Sequence, residues 1–331
     1  MHFNESKWKN MTEQELEVFK KEVFDHYRKN GFPYYNDDLE KQKKSIKKMD
    51  EYFKTHEVIK NDVIRQTMHC LSTAWTYFPH AWGIKCNRMN TPMEIFSDDV
   101  LFKKAITRRL IRGTYVSDSG IRKALRGTTG AQAVSNFRPS ASRAIYDKYG
   151  GDGVTWDPSA GFGGRLLGAI SSPRIKKYIG CEPSTKTFMG LKKMALRLGE
   201  GKEIKLYQIG SEEFALEEPV DLVFTSPPYF DNEIYSDEET QSCNRYPKYE
   251  DWRYNYLYRT MISMPSSVKK GGYLIINIAN TKRAPTLVKD FTDWIDMLGY
   301  FKLEKELKLA LSSISHKDQF KYEPVFVYKK L

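Results

Sequence analysis

The sequence predicts an α/β protein: a mostly parallel sheet covered by helices on both faces, ending in an antiparallel C-terminal hairpin and preceded by a helical N-terminal region. Three observations predict it. From about residue 150, short apolar runs alternate with helical stretches, the pattern of parallel strands joined by crossover helices. The run VTWD passes through a glycine-rich turn, PSAGFGG, directly into an apolar helix. The last two runs, YFKLEKELKL and EPVFVYKK, have no clear helix between them and read as a hairpin at a sheet edge.

In chain order, Thr12 and Glu15 form a capping box, and Leu16, Phe19, Val23, Phe24 and Tyr27 recur at helical spacing until Gly31 and Pro33 stop the run. A second helix is expected over 38–54, using Ile46, Met49 and Phe53, and a third over 61–77. The strands then come as VTWD, KYIGCE, IKLYQ, DLVFTS and GGYLIINI before the closing hairpin. The change of texture divides the chain into a helical region, 1–130, and an α/β domain, 131–331.

Composition bounds the function. The 331 residues are 40% hydrophobic, 14% aromatic and 29% charged, a globular composition. No apolar run is long enough to cross a bilayer, so no membrane partner is expected. The start, MHFNESKWKNMTEQE, is too polar for a secretory signal and too acidic for a typical transit peptide, which makes the cytoplasm the expected location. Cys70, Cys86, Cys181 and Cys243 are irregularly spaced, as reduced thiols are. His69, Cys70, His80 and Cys86 lack zinc-site spacing, and no metal is expected. The net charge of +11 is localised: residues 81–145 hold 12 basic residues against four acidic ones, whereas residues 1–60 hold 13 against 12. Lys103, Lys104, Arg108, Arg109, Arg112, Arg122, Lys123 and Arg126 lie in the basic stretch, a candidate contact for a polyanion.

Two motifs carry chemistry. In DPSAGFGG, Gly161, Gly163 and Gly164 allow a ligand to approach the backbone, but Leu166 stands where a dinucleotide fingerprint wants glycine. Asp157 at the strand end favours a ligand with a cationic or hydrogen-bond-donating part. Glu182 ends the next strand, 25 residues on, where an acid binds ribose hydroxyls in nucleoside-binding folds. The second motif is TSPPYF, residues 225–230, which ends an apolar strand in a proline-stiffened corner.

Together, DPSAGFGG and TSPPYF resemble the motifs of S-adenosylmethionine-dependent DNA amino-methyltransferases of the N4-cytosine or N6-adenine type, found in phage and restriction-modification systems. The resemblance covers about residues 134–330. It implies a Rossmann-like seven-stranded methyltransferase sheet in the unpermuted motif order, and S-adenosylmethionine as cofactor. By the same likeness Phe137, Arg138 and Pro139 border the cofactor, together with Asp157, Ser159, Ala160, Gly161, Gly163 and Glu182. Where the family carries an acid after the third strand, this chain reads YQIGSEEF, so Ser211 or Glu212 stands at that position.

An exocyclic amine is a poor nucleophile because its lone pair is conjugated with the ring, and hydrogen-bond acceptors must draw it toward tetrahedral geometry. Ser226 Oγ and the Pro227 carbonyl are those acceptors in this reading, with Pro228 stiffening the corner and Tyr229 offering a face for an extruded base. Phe230 walls the pocket, and Tyr235, Gln241, Arg245 and Tyr246 rim it. Serine at the first position goes mostly with cytosine N4 in the family. C5 methylation is disfavoured, because no cysteine here follows a proline. DNA is the expected partner, and the first 80 residues support DNA contact or a homodimer. The alternatives are an N6-adenine enzyme, an RNA N-methyltransferase and a catalytically silent DNA-binding subunit.

Overall fold

A computed structural model describes residues 1–311 and 320–331. The chain forms two compact units, one of residues 1–36, 79–135 and 233–235, the other of 37–78, 136–232 and 236–331. Both are assembled from alternating stretches, so residues 37–78, expected in the helical region, belong with the sheet.

The first unit is mainly helical. Helix Glu13–Asn30 starts on the Thr12–Glu15 capping box and ends at Gly31, as the spacing predicts. It buries Phe19, Val23 and Tyr27 against Phe102, Ala105 and Ile106 of helix Asp99–Arg112, and Ile121 and Leu125 of helix Asp118–Gly127 join the same core. Two short antiparallel pairs complete it: His2–Asn4 with Tyr115–Ser117, and Lys85–Cys86 with Glu233–Ile234.

The second unit is built on one nine-stranded sheet. Its strands are β1 (Ile59–Lys60), β2 (Val63–Ile64), β3 (Val154–Asp157), β4 (Lys177–Cys181), β5 (Glu203–Tyr207), β6 (Val220–Thr225), β7 (Val268–Asn277), β8 (Phe301–Ala310) and β9 (Tyr322–Lys330). They run in the order β1-β2-β8-β9-β7-β6-β3-β4-β5. The last seven in chain order form the expected Rossmann-like sheet, and β9 lies antiparallel to both β7 and β8 as the hairpin predicts. The added β1–β2 pair corrects the helix expected over 61–77. Only Leu71–Thr76 is helical there, because Asn61 and Asp62 adopt left-handed backbone angles that turn the chain back as a hairpin.

Every residue of β6 is buried, as in a central parallel strand covered on both faces. Alternation along it divides the two cores. Phe224 meets Phe137 and Tyr146 of one layer, with ring centroids 5.4 Å away in both cases. Val223 joins Trp252, Tyr256, Met261, Phe291 and Ile295 of the other. The strand order reverses between β3 and β6, and ligands of open α/β sheets bind outside the strand ends at such a point.

Candidate active site

Strands β3 to β6 run parallel, so their carboxyl ends share one edge of the sheet, and the residues immediately after each strand build the site. At the end of β3, Asp157 is fully buried and accepts four hydrogen bonds: from Ser159 N (3.2 Å), Arg165 Nε (2.8 Å), Tyr178 Oη (2.8 Å) and Thr225 Oγ1 (2.9 Å). Four donors fill a carboxylate's acceptor capacity. Asp157 therefore does not meet a ligand, which corrects its assignment as a cofactor contact. It is an internal node that ties the glycine turn, through Ser159 and Arg165, to the last residue of β6.

The turn itself is shaped for close approach. Gly161 has φ +53°, and its N–H donates to Glu182 Oε2 at 3.0 Å. Glu182, directly after β4, also accepts from Ser184 N at 2.9 Å, and Ala160 N donates to Cys181 O at 2.9 Å. Burial pushes the Glu182 carboxyl up to about 7, although both backbone donors pull it down. Ser159 Oγ lies 3.5 Å from Tyr256 Oη. The segment at 136–139 closes on the turn: Asn136 Nδ2 donates to Phe162 O at 2.9 Å, and the Phe137 carbonyl packs on Gly164 so tightly that a methyl there would lie 1.8 Å from it. Pro139 opens helix Pro139–Tyr149 with Arg138 as its N-cap, and Gly163 is the left-handed N-cap of helix Gly164–Ser171.

After β5, Ser211 is buried with its hydroxyl 3.0 Å from Thr260 Oγ1. Glu212 differs: neither carboxylate oxygen has a hydrogen-bond partner, and the Arg245 guanidinium stands 3.5 Å away. Its pKa is raised, mainly by burial. Glu212 thus keeps acceptor capacity beyond its contact with Arg245, whereas the Ser211 hydroxyl is engaged by Thr260, and of the two expected candidates the Glu212 carboxylate is the one whose chemistry fits an adenine amino group. Glu182 and Glu212 both raise the pKa of Tyr256 and Cys181, which places the two acids around the same groups. The residues present thus fit a nucleoside: orphan acceptors for a base, a strand-end acid for ribose and an open-backboned turn beside them.

After β6, the corner residue Ser226 is half-buried, and its Oγ donates to Asn277 Oδ1 at 3.3 Å. Tyr229 is half-buried against the core, with Oη 3.4 Å from the Asn277 carbonyl. Phe230 takes φ +57°, and this turn drives its ring into the core against Tyr249 and Trp252, at centroid distances of 5.4 and 5.5 Å. Phe230 is therefore a core residue and not a pocket wall facing nucleic acid, which corrects its assignment.

No family model and no curated protein matches the chain. Among solved structures it is similar to TrmN from Thermus thermophilus, at 16% identity and TM-score 0.40, over 58% of this chain and 49% of that one, so it spans about half of TrmN. It is similar also to an rRNA methylase from Streptococcus thermophilus, at 12% identity and TM-score 0.37, over 60% and 99%. A third is the magnesium protoporphyrin IX methyltransferase from Synechocystis with S-adenosylmethionine bound, at 13% identity and TM-score 0.38, over 56% and 74%.

In the helical unit, Lys103, Lys104, Arg112, Lys123 and Arg126 are exposed, while Arg108 and Arg109 are half-buried and the Arg109 guanidinium donates to the Tyr115 carbonyl. Arg122 is buried, stacked 3.8 Å over Tyr35 and donating to Pro33 O at 2.6 Å, so it holds the fold together and is withdrawn as a phosphate contact. Tyr235 belongs to this unit and bonds Glu233. Arg245 is exposed and paired with Glu213 at 2.5 Å. Gln241 is buried, accepting from Ser236 N at 2.5 Å, which removes it from the expected rim. Among the described residues no cluster of His, Cys, Asp and Glu could hold a metal ion, and no helix is long and apolar enough to cross a membrane.

Three residues escaped sequence reasoning. Asn277 left one signal, a polar residue ending the apolar run YLIIN. Asn136 directly precedes the Phe-Arg-Pro segment. Tyr256 left none, because it reaches Ser159 from a π-helical turn, Arg253–Tyr258, inside the continuous helix 249–266.

Proposed function

We propose that the chain is an S-adenosylmethionine-dependent methyltransferase acting on an exocyclic amino nitrogen of a base in DNA, with cytosine N4 as the target. The observation that carries the reading is the bond from Thr225 to Asp157. It fastens the Ser-Pro-Pro-Tyr corner to the strand end that opens the nucleoside-type turn, so acceptor and cofactor site share one rigid junction.

When bound, S-adenosylmethionine supplies an electrophilic methyl group. Glu182 would accept its ribose hydroxyls and Glu212 its adenine amine, while Gly161, the open point of the turn, would let it lie against the backbone. Ser226 Oγ and the Pro227 carbonyl accept the N–H groups of the target amine and hold its lone pair toward the methyl. Tyr229 stacks on the base, which has been turned out of its duplex because its amine is otherwise out of reach. The lone pair that Ser226 and Pro227 aim would take the methyl group from the cofactor held there, and the nitrogen would release its surplus proton to water. No general base is required, since that proton is acidic once nitrogen is cationic. The exposed cations of the helical unit supply phosphate contacts.

The test is methyl transfer from isotope-labelled cofactor to duplex DNA, single-stranded DNA and RNA, with the modified base identified by mass spectrometry. Label in N4-methylcytosine of DNA supports the reading. Label confined to RNA replaces the substrate, and label in N6-methyladenine replaces the target base. Cofactor binding without transfer to any of the three leaves a silent scaffold.

A further inference from the structure

A serine hydroxyl is an ambivalent partner for an amine: it donates as readily as it accepts. To draw an N–H toward itself, Ser226 must send its own proton elsewhere. The structure provides the destination. Ser226 Oγ donates to Asn277 Oδ1 at 3.3 Å, leaving its lone pairs as what the corner presents. An amide can rotate and offer NH₂ in place of oxygen, but this one is held. Asn277 Nδ2 donates to Pro324 O at 3.0 Å, on the C-terminal hairpin strand β9. Asn277 is itself buried at the end of β7, so solvent does not compete for its amide. Its main-chain carbonyl independently accepts from Tyr229 Oη at 3.4 Å.

We propose that Asn277 is a positioning residue that turns Ser226 into a pure acceptor, with β9 fixing the sense of the amide. This deepens the proposed amino-methyl transfer and rests on it. Serine then does the work of a carboxylate without its charge. The requirement for Asn277 belongs to serine specifically, because an aspartate at 226 has no proton to dispose of.

The test is a cycle of variants of the full chain, read as kcat and as KM for cofactor and DNA. Asn277→Leu keeps the volume and loses the acceptor. Its kcat is expected to fall about 100-fold, the scale of one misdirected hydrogen-bond partner at a reacting centre, with both KM values within about twofold. Asn277→Asp keeps an oxygen facing Ser226 and, buried and protonated, still donates to Pro324 O, and it is expected to recover at least about tenfold over leucine. In a Ser226→Asp background, Asn277→Leu is expected to cost only a few-fold. The side-chain changes leave the main-chain contact to Tyr229 in place, and melting temperatures establish that each variant is folded. Asn277→Ala is measured in parallel, so that one folded variant without the acceptor remains if leucine disrupts β7. Equal losses for Asp and Leu, or the same loss with Ser and Asp at 226, would reduce Asn277 to a structural residue and overturn the proposal while methyl transfer stands. If the unaltered chain methylates no nucleic acid, the parent reading and this one fall together.

Discussion

Glu182 holds two backbone amides with a carboxyl that burial has lifted from the ordinary 4.5 to about 7. The sign of its pH effect differs for the empty fold and for the ligand. A raised pKa in the folded state means stability that is present below pH 4.5 and lost as pH rises through about 7. If Glu182 accepts ribose hydroxyls, its ionised form is the stronger acceptor, so cofactor affinity should fall as pH drops below about 7, approaching tenfold per pH unit. Calorimetric titration across that range checks this, and Glu182→Gln should bind weakly with a flat profile. Asp157 makes a contrasting case, since its four donors include the buried Arg165 guanidinium. Asp157→Ala leaves that cation without its partner and should cost about 3–5 kcal/mol in denaturant unfolding. A variant of native stability that had lost only cofactor affinity would return Asp157 to the ligand. Neither environment was legible in the sequence. An acid at a strand end looks the same whether it holds two backbone amides or an arginine eight positions along the chain.

At the scale of elements, the strands and most helices were legible because period and punctuation agree: capping residues, glycine stops and continuous apolar runs all point the same way. The helix expected over 61–77 failed because two residues in left-handed conformation outweigh helical spacing, and such a turn has only a weak sequence signature in Asn61–Asp62. The π-helical turn at Arg253–Tyr258 was invisible for a related reason, since one residue's shift in hydrogen bonding leaves composition unchanged. The glycine turn, by contrast, announced itself, and its tightest point is testable. Gly164→Ala would set a methyl 1.8 Å from the Phe137 carbonyl and force segment 136–139 off the turn. The expected result is a stability loss of about 1–3 kcal/mol together with weaker cofactor binding. Unchanged affinity at reduced stability would separate that segment from the cofactor.

Over the whole molecule, localised charge was readable, but which cations are free was not, because Arg122 and Lys123 are adjacent letters with opposite fates. If Lys103, Lys104, Arg112, Lys123 and Arg126 meet phosphates, changing each to alanine should reduce the salt dependence of DNA binding by about one unit of slope, and Arg122→Ala should lower stability instead. Filter-binding or fluorescence titrations over a range of salt decide it. The motif-based boundary near 130 located the change of texture but not the path of the chain, which lends residues 37–78 to the sheet unit and 233–235 to the helical one. That path has a consequence during synthesis. The helical unit lacks its last strand until Glu233–Tyr235 has left the ribosome, by which time the Ser-Pro-Pro-Tyr corner has already emerged, so neither unit can be completed as an isolated N-terminal product. Truncation at residue 130 should therefore yield an aggregation-prone fragment, with Lys85–Cys86 left as an unpaired edge.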